Sequence, residues 1–437
     1  MKKSLLLSFM LLIVLTTSLA QENYVPFNPH PEDDSFVIPL DRQVSLSWDC
    51  YNPYQKTVSY TVKLLINGTK EMLFEDLKSR TINIDVHPGD KLEWNVVSKV
   101  YEKSFTGPAW NFRVPKEFIH VFGDNDPGSF ADAARTDNSF TIITNQIIEG
   151  KYSAKMLTLE SNGTIIEEKN ILWNDFYAYL IADNKLIGHL FDEKGYRLGI
   201  YNLTRDTTSS IDNEHFSTVH EIDEIKNGFL VTGISDKRSK ILTLDKSLQI
   251  VDKNFSDIIA YTADYLDKIL VVAGKKWIGN VYVPAVSIKK SDGQWVYITL
   301  EIAGAFTDCK ITDDGFYVLG QIASLYKGTQ DLIVSKYDLT GNLLWNNFID
   351  NHGDDVPGKL IIKDALLKVL GTYYTNKSYS TYIVNYTTEG KTSGVSFFDS
   401  KFNEFPAEFI STNIGNFIFG NVENDYEKKI FMRFTGN

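Results

Sequence analysis

Asp314-Gly315-Phe316-Tyr317-Val318-Leu319-Gly320 is a turn pair, an apolar run and a closing glycine, and much of the chain repeats it. Related turns begin at Asn138-Ser139-Phe140, Asn184-Lys185-Leu186, Asn227-Gly228-Phe229, Asp267-Lys268-Ile269, Asp364-Ala365-Leu366 and Gly415-Asn416-Phe417. Counted at the third residue, the steps are 46, 43, 40, 47, 50 and 51 residues. In the last five copies the following strand ends in Gly233, Gly274, Gly320, Gly371 and Gly420. About half a unit further on stands a strand, a turn and a strand. It runs from Lys155 to Ile166 around Asn162-Gly163, from Lys240 to Val251, and from Val286 to Val296 around Asp292-Gly293. It returns from Ile333 to Trp345 around Thr340-Gly341 and from Tyr382 to Val395 around Glu389-Gly390. Four strands per unit is too long for the coil of a β-helix, and a sandwich does not repeat.

The arithmetic resembles a β-propeller, and the resemblance covers residues 116–437 with seven copies, the copy between Asn170 and Asp206 fitting least. The last unit stops at Met432-Arg433-Phe434-Thr435-Gly436-Asn437, where an outer strand is due. A spare strand stands at 118–122, Phe118-Ile119-His120-Val121-Phe122, and is expected to complete the seventh blade and remove an open sheet edge. Asp338-x-Thr340-Gly341-x-x-x-Trp345 resembles the tryptophan-docking repeat of quinoprotein propellers and of the related outer-membrane assembly lipoprotein. That resemblance implies a quinone cofactor or a scaffold role in barrel assembly. Only Asp292-Gly293-Gln294-Trp295 partly echoes it, so the residues read as a strand turn followed by a packed aromatic.

Ahead of the repeat, residues 36–115 carry short alternating runs: Val44 to Trp48, Val58 to Ile66, Thr81 to Val86, Lys91 to Val97 and Trp110 to Val114. Leu46-Ser47-Trp48, Ser59-Tyr60-Thr61-Val62, Leu92-Glu93-Trp94-Asn95-Val96 and Gly107-Pro108-Ala109-Trp110-Asn111-Phe112 resemble a fibronectin type III domain. The expected fold class is therefore all-β, a small immunoglobulin- or fibronectin-like sandwich followed by a seven-bladed propeller. Residues 21–35, with Pro26, Pro29, Pro31 and Glu32-Asp33-Asp34, read as a solvated linker. Residues 1–20 read as a secretory signal peptide: Lys2-Lys3, an apolar run from Leu5 to Leu15, and a cut after Ala20. The expected location is the periplasm or the extracellular space, with no transmembrane segment in the mature chain.

The chain is acidic, with 44 Lys and Arg against 56 Asp and Glu and a net charge of −12, which argues against nucleic acid as partner. The two cysteines, Cys50 and Cys309, fall in different domains and are expected to be lone buried thiols. Phosphate-loop, dinucleotide, zinc-protease and serine-hydrolase motifs are absent. The seven histidines show no metal-like pairing, His215 and His220 being placed on opposite faces of one strand. Asp124-Asn125-Asp126 and Asp354-Asp355 occupy equivalent connections and read as turn-solvating residues; no cofactor or metal is expected.

Aromatic residues in the loops joining second and third strands are the candidate ligand-binding set: Tyr152, Trp277, Tyr282, Tyr326, Tyr374, Tyr379 and Tyr426. Equivalent loops project from one face of a propeller, where rings stack on sugars or fill pockets of a protein partner. The favoured expectation is an exported binding or scaffold protein for a carbohydrate or an envelope protein, with no catalytic residue assigned. A cell-envelope polysaccharide hydrolase or lyase, and a quinoprotein-like or outer-membrane assembly propeller, stand as alternatives.

Overall fold

The computed structural model describes residues 24–436 apart from 40–41, 53–54, 123–127, 137–138, 172, 174, 325–328, 352, 364, 375–377, 399 and 425–426. The stretch read as a signal peptide lies outside the described residues. Every regular element among the described residues is a β-strand, and no helix is long and apolar enough to cross a membrane. Contacts divide the chain into two compact units, residues 1–118 with 411–416 and 434–437, and residues 119–410 with 417–433.

In the smaller unit Phe27–His30, Gln43–Asp49 and Thr81–Asp85 form a three-stranded sheet. A six-stranded sheet runs Ser35–Phe36, Trp110–Arg113, Lys91–Val100, Ser59–Ile66 and Lys70–Leu77, with Lys103–Thr106 paired beside Lys91–Val100. Alternation decides what is buried. Along Lys91–Val100 the residues Leu92, Trp94, Val96, Ser98 and Val100 point inward, and their neighbours do not. Trp94 lies 4.8 Å from Trp110 and 6.3 Å from Trp48, ring centre to ring centre, in a core with Leu46, Val62 and Leu64. Part of the stretch read as a linker is not one. Phe27–His30 pairs with Gln43–Asp49, and Tyr24 is buried, its carbonyl accepting the Ser98 hydroxyl at 2.5 Å. The strand Lys70–Leu77, of sequence KEMLFEDL, escaped the sequence reading because it lies at a sheet edge with no fully buried residue to mark an alternation.

Among the described residues the larger unit holds seven four-stranded sheets. Their first strands are Ser129–Arg135, Phe176–Ala182, Thr218–Ile225, Ile259–Leu266, Gly304–Thr312, Asp355–Lys363 and Asn403–Ser411. Six sheets take their strands in sequence order; the seventh runs Asn403–Ser411, Gly415–Asn424, Glu427–Gly436 and then Glu117–Phe122. The spare strand thus fills the outer position, and Gly436 N–H donates to the Lys116 carbonyl at 2.7 Å where it joins. Apolar clusters bind each sheet to the next, as Ile143 and Leu186 do between the first two sheets. The last sheet meets the first through Phe140, whose ring lies 4.6 Å from Phe417 and 5.2 Å from Phe419, and through Phe130 N–H on Asn421 Oδ1 at 2.8 Å. Burial follows from this stacking. A third strand such as Gln330–Tyr337 is buried on both faces after its first residue, whereas the fourth strand Leu343–Ile349 is mostly open.

One device recurs at the turns between third and fourth strands. Gly390 sits at φ +79° and its missing side chain leaves room for Trp345 of the preceding sheet; a Cβ there would stand 2.6 Å from the ring. Trp345 Nε1–H donates to the Thr388 carbonyl at 3.0 Å, and Asn347 Nδ2–H to the Gly390 carbonyl at 2.7 Å. Asp338 holds its own turn, accepting from Thr340 N–H and Asn342 N–H. Gly163, at φ +90°, receives His120 of the closing strand in the same way, so the join of last sheet to first copies the internal joins.

Candidate functional site

Because every sheet repeats one strand order and direction, the hairpins between second and third strands lie at the end of the unit where first strands begin. The connections from each fourth strand to the next first strand lie there too. Between the fourth and fifth sheets this end opens into a pocket of about 380 Å³, lined among others by Tyr261, Lys275, Tyr282, Thr307, Gln321 and Gln330. Lys275 Nζ stands 4.5 Å from the centre of the Tyr282 ring and 5.1 Å from that of Tyr261. The Lys275 ammonium makes no hydrogen bond or ion pair to a described residue; among these its charge meets ring faces. On the hairpin above, Trp277 and Tyr282 oppose each other across the two strands with rings 4.7 Å apart. Trp277 is 56% exposed and Tyr282 40%, and Ile278 and Val281 at the same tip are exposed as well.

The other aromatic residues singled out in the sequence fall into separate groups. Tyr374 and Tyr379 face each other at 4.9 Å, Tyr374 exposed and Tyr379 half-buried against Phe405. Tyr152 lies at the edge of a different cluster, 5.3 Å from Tyr177, where Tyr177, Tyr179 and Tyr196 surround His189. Both His189 nitrogens are buried without a hydrogen-bond partner, and burial pulls its pKa down to about 4, so the ring is neutral at neutral pH. Tyr326 and Tyr426 lie outside the described residues. Among the described residues no ring contact joins the three groups, so they are separate patches rather than a continuous ring. Sequence reasoning missed Lys275, Gln321 and Gln330. Nothing in the sequence distinguishes Lys275 from the adjacent Lys276 except strand alternation about Trp277.

A second concentration of chemistry lines the space between the first strands. Asp223 of the third sheet and Lys310 of the fifth meet at 2.5 Å, skipping the fourth sheet, so the first strands converge on a common channel. Lys359 of the sixth sheet pairs there with Glu408 of the seventh. β-Bulges put the carboxylates in place: the register of the first strand shifts immediately before Asp132, Glu221 and Asp308. Three aspartates then tie neighbouring sheets. Asp132 accepts Ile181 N–H at 2.9 Å, Asp264 accepts Ile311 N–H at 2.8 Å, and Asp308 accepts Leu360 N–H at 2.6 Å. Burial pushes Asp308 up to about 6 against the pull of Lys310, and raises Asp132 and Glu221 as well, Glu408 adding to the first and Asp223 to the second. Asp223 goes the other way: burial opposes its ionisation, but Lys310 and Lys359 outweigh it.

Two expectations change. His215 closes a fourth strand and His220 lies in the first strand of the next sheet, so they do not share a strand; Ser217 between them ends one sheet and starts another. Asp355 does not solvate a turn. It is fully buried at the start of a first strand, held by Asn351 N–H at 3.1 Å and Asn351 Nδ2–H at 2.7 Å, and burial raises it to about 6. Asp354 does serve its turn, accepting Gln330 N–H at 3.0 Å. Asp124 and Asp126 lie outside the described residues. Cys50 and Cys309 are buried free thiols.

No family model matches the chain, and no curated relative matches it. Solved structures do. The β-propeller domain of the Trilobed protease from Pyrococcus furiosus is 12% identical over 72% of this chain and 95% of its own, with a TM-score of 0.50. An acylaminoacyl peptidase from Pyrococcus horikoshii is 10% identical over 70% of this chain, at a TM-score of 0.47, and this chain spans 50% of its length. A quinoprotein alcohol dehydrogenase-like protein from Bacteroides thetaiotaomicron is 13% identical over 83% of this chain and 94% of its own, at a TM-score of 0.34. At 12% identity the likeness to the Trilobed protease domain speaks of fold alone: the chain is all-β, and its four-stranded sheets are consistent with the blades of a β-propeller.

Proposed function

We propose that the chain is a binding protein, a closed seven-bladed propeller whose hairpin face takes an acidic carbohydrate. In this reading a fibronectin type III-like sandwich precedes the propeller in sequence, and residues 1–20 direct the protein out of the cytoplasm. The observation that carries the reading is Lys275. Its ammonium has two tyrosine rings beneath it, no described carboxylate beside it, and a pocket of about 380 Å³ in front of it. That volume lies within the range of about 300 to 1,000 Å³ common for small-ligand sites. An uncommitted cation calls for a carboxylate or sulfate, the Gln330 side chain offers an amide to hydroxyls, and Trp277 and Tyr282 offer ring faces to a sugar. The channel carboxylates answer a different need, since Asp132, Asp264 and Asp308 are engaged by backbone amides of adjacent sheets. The test is a screen of the full chain against uronate- or sulfate-bearing oligosaccharides and neutral ones of equal length. Retention of the acidic set, lost in Lys275→Met, supports the reading; equal retention of both sets, or none of either, contradicts it.

A further inference from the structure

On the same end of the unit, one connection away from the pocket, three aspartates converge. Asp331 opens the third strand of the fifth sheet, Asp350 follows its fourth strand, and Asp355 begins the first strand of the sixth. One carboxylate oxygen from each lies within 4.8 Å of the other two. Asp350 is exposed, whereas Asp355 is fully buried and Asp331 is 6% exposed. Asp331 takes a hydrogen bond from Ser324, yet its Oδ1 is shut off from solvent and makes none, the independent sign of a missing partner. Neither Asp331 nor Asp355 makes an ion pair with a described residue. Two buried carboxylates without a cation, beside a third, are expensive to maintain: each has lost its hydration, and they repel one another.

The geometry points to a site for a single divalent cation of the calcium class, held by Asp331, Asp350 and Asp355 at the junction of the fifth and sixth sheets. All three donors are carboxylate oxygens, hard ligands that suit calcium, magnesium or manganese and not zinc or copper, which favour nitrogen and sulfur. Calcium fits the arrangement better than magnesium. The donors come from a strand start and an inter-sheet connection rather than from a rigid octahedral cage, and the exposed Asp350 side leaves room for water to complete six to eight ligands. Asn351 is the orienting residue: by donating through N and Nδ2 to Asp355 it fixes that carboxylate and leaves its remaining lone pairs for the ion. The cluster is not an acid pair for glycoside cleavage, because Asp331 and Asp355 are closed to a substrate. Gln321, a pocket residue, donates its amide to the Asp355 carbonyl at 2.7 Å, so the ion would brace one wall of the pocket without forming part of it.

The test uses the full chain stripped with a chelator and returned to calcium chloride, followed by calorimetric titration and thermal unfolding. Saturable uptake of one calcium with a rise in melting temperature is expected, and a smaller rise with magnesium chloride at equal concentration. Asp331→Asn and Asp350→Asn should each weaken calcium uptake by about tenfold or more, a loss typical when a ligand or its support is removed. Asp331→Asn has a second signature: with a buried charge removed, the stripped variant should melt no lower than the stripped parent while the calcium response disappears. A parent that shows neither heat nor a melting shift with millimolar calcium overturns the assignment. So does a calcium response retained by both variants, or a larger response to magnesium.

Discussion

The channel and the hairpin face of the larger unit are both rich in functional groups, and they differ in whether those groups are already committed. In the channel, carboxylates meet amides and lysines: Asp132, Asp264 and Asp308 each hold a strand of the next sheet, and Lys310 and Lys359 each hold an acid. At the hairpin face the Lys275 side chain makes no ion pair, and the Trp277 and Tyr282 rings make no hydrogen bond, among the described residues. Charge between the first strands thus serves assembly, whereas the uncommitted hairpin surface is where a ligand of the proposed kind would add contacts without breaking any.

Variants that break structural commitments should therefore cost stability, and rim variants should not. The largest loss is expected at Arg433, whose guanidinium meets the fully buried Glu404 at 2.6 Å while the Thr381 hydroxyl donates to the same carboxylate at 2.9 Å. Arg433→Met strands that charge and should destabilise the unit by about 3 to 5 kcal/mol in denaturant titration, with part recovered by adding Glu404→Gln.

The pH dependence of stability sharpens the comparison next. Asp308 is raised to about 6 from 3.8, so the folded chain holds a proton the unfolded chain has lost, and stability falls as pH rises through that window. His189 is lowered to about 4 from 6.5, so there the unfolded chain binds the proton, and stability rises with pH over nearly the same window. Each contribution is on the order of 3 kcal/mol. Asp308→Asn should make the slope of stability against pH more positive between about pH 4 and 6, and His189→Phe should make it more negative. Two variants with unchanged profiles would show that these groups are not desolvated as described. Smaller again is Trp345→Ala, expected to cost about 2 kcal/mol because the ring is half-buried, below the range of about 3 to 5 for an enclosed one.

Much of this was legible in the sequence, for reasons that can be located. The turn, strand and glycine around Phe316 recur because Gly233, Gly274, Gly320 and Gly420 pack against the preceding strand, a Cβ on Gly320 standing 2.5 Å from the Ala305 carbonyl, while Gly371 makes room for the Tyr382 ring. The spare strand at 118–122 was legible because the repeat ends one strand short, and it pairs where that gap stands. Less legible was anything set by register. The bulges that aim Asp132, Glu221 and Asp308 into the channel leave no mark in hydropathy, since the bulged residue and its neighbours are ordinary strand residues. Their place in the loops joining second and third strands singled out Trp277, Tyr282 and Tyr374, whose rings are exposed, but nothing in the sequence marked the register shift at Tyr261 beside which Lys275 lies over that ring. Asp355 read as a turn residue because it follows Asp354, and one residue separates turn from buried strand.

The most direct measurement of the central claim is the affinity of the full chain for an acidic oligosaccharide that passes the screen, taken in parallel with melting temperature for the parent and Trp277→Ala. Trp277→Ala is expected to stay within about 0.5 kcal/mol of the parent in stability, as for other exposed positions. Its binding should weaken by about 2 kcal/mol, roughly thirtyfold, as for a central aromatic contact. Unchanged binding in Trp277→Ala, or a loss of stability that matches the loss of binding, would contradict a hairpin face left free for a ligand.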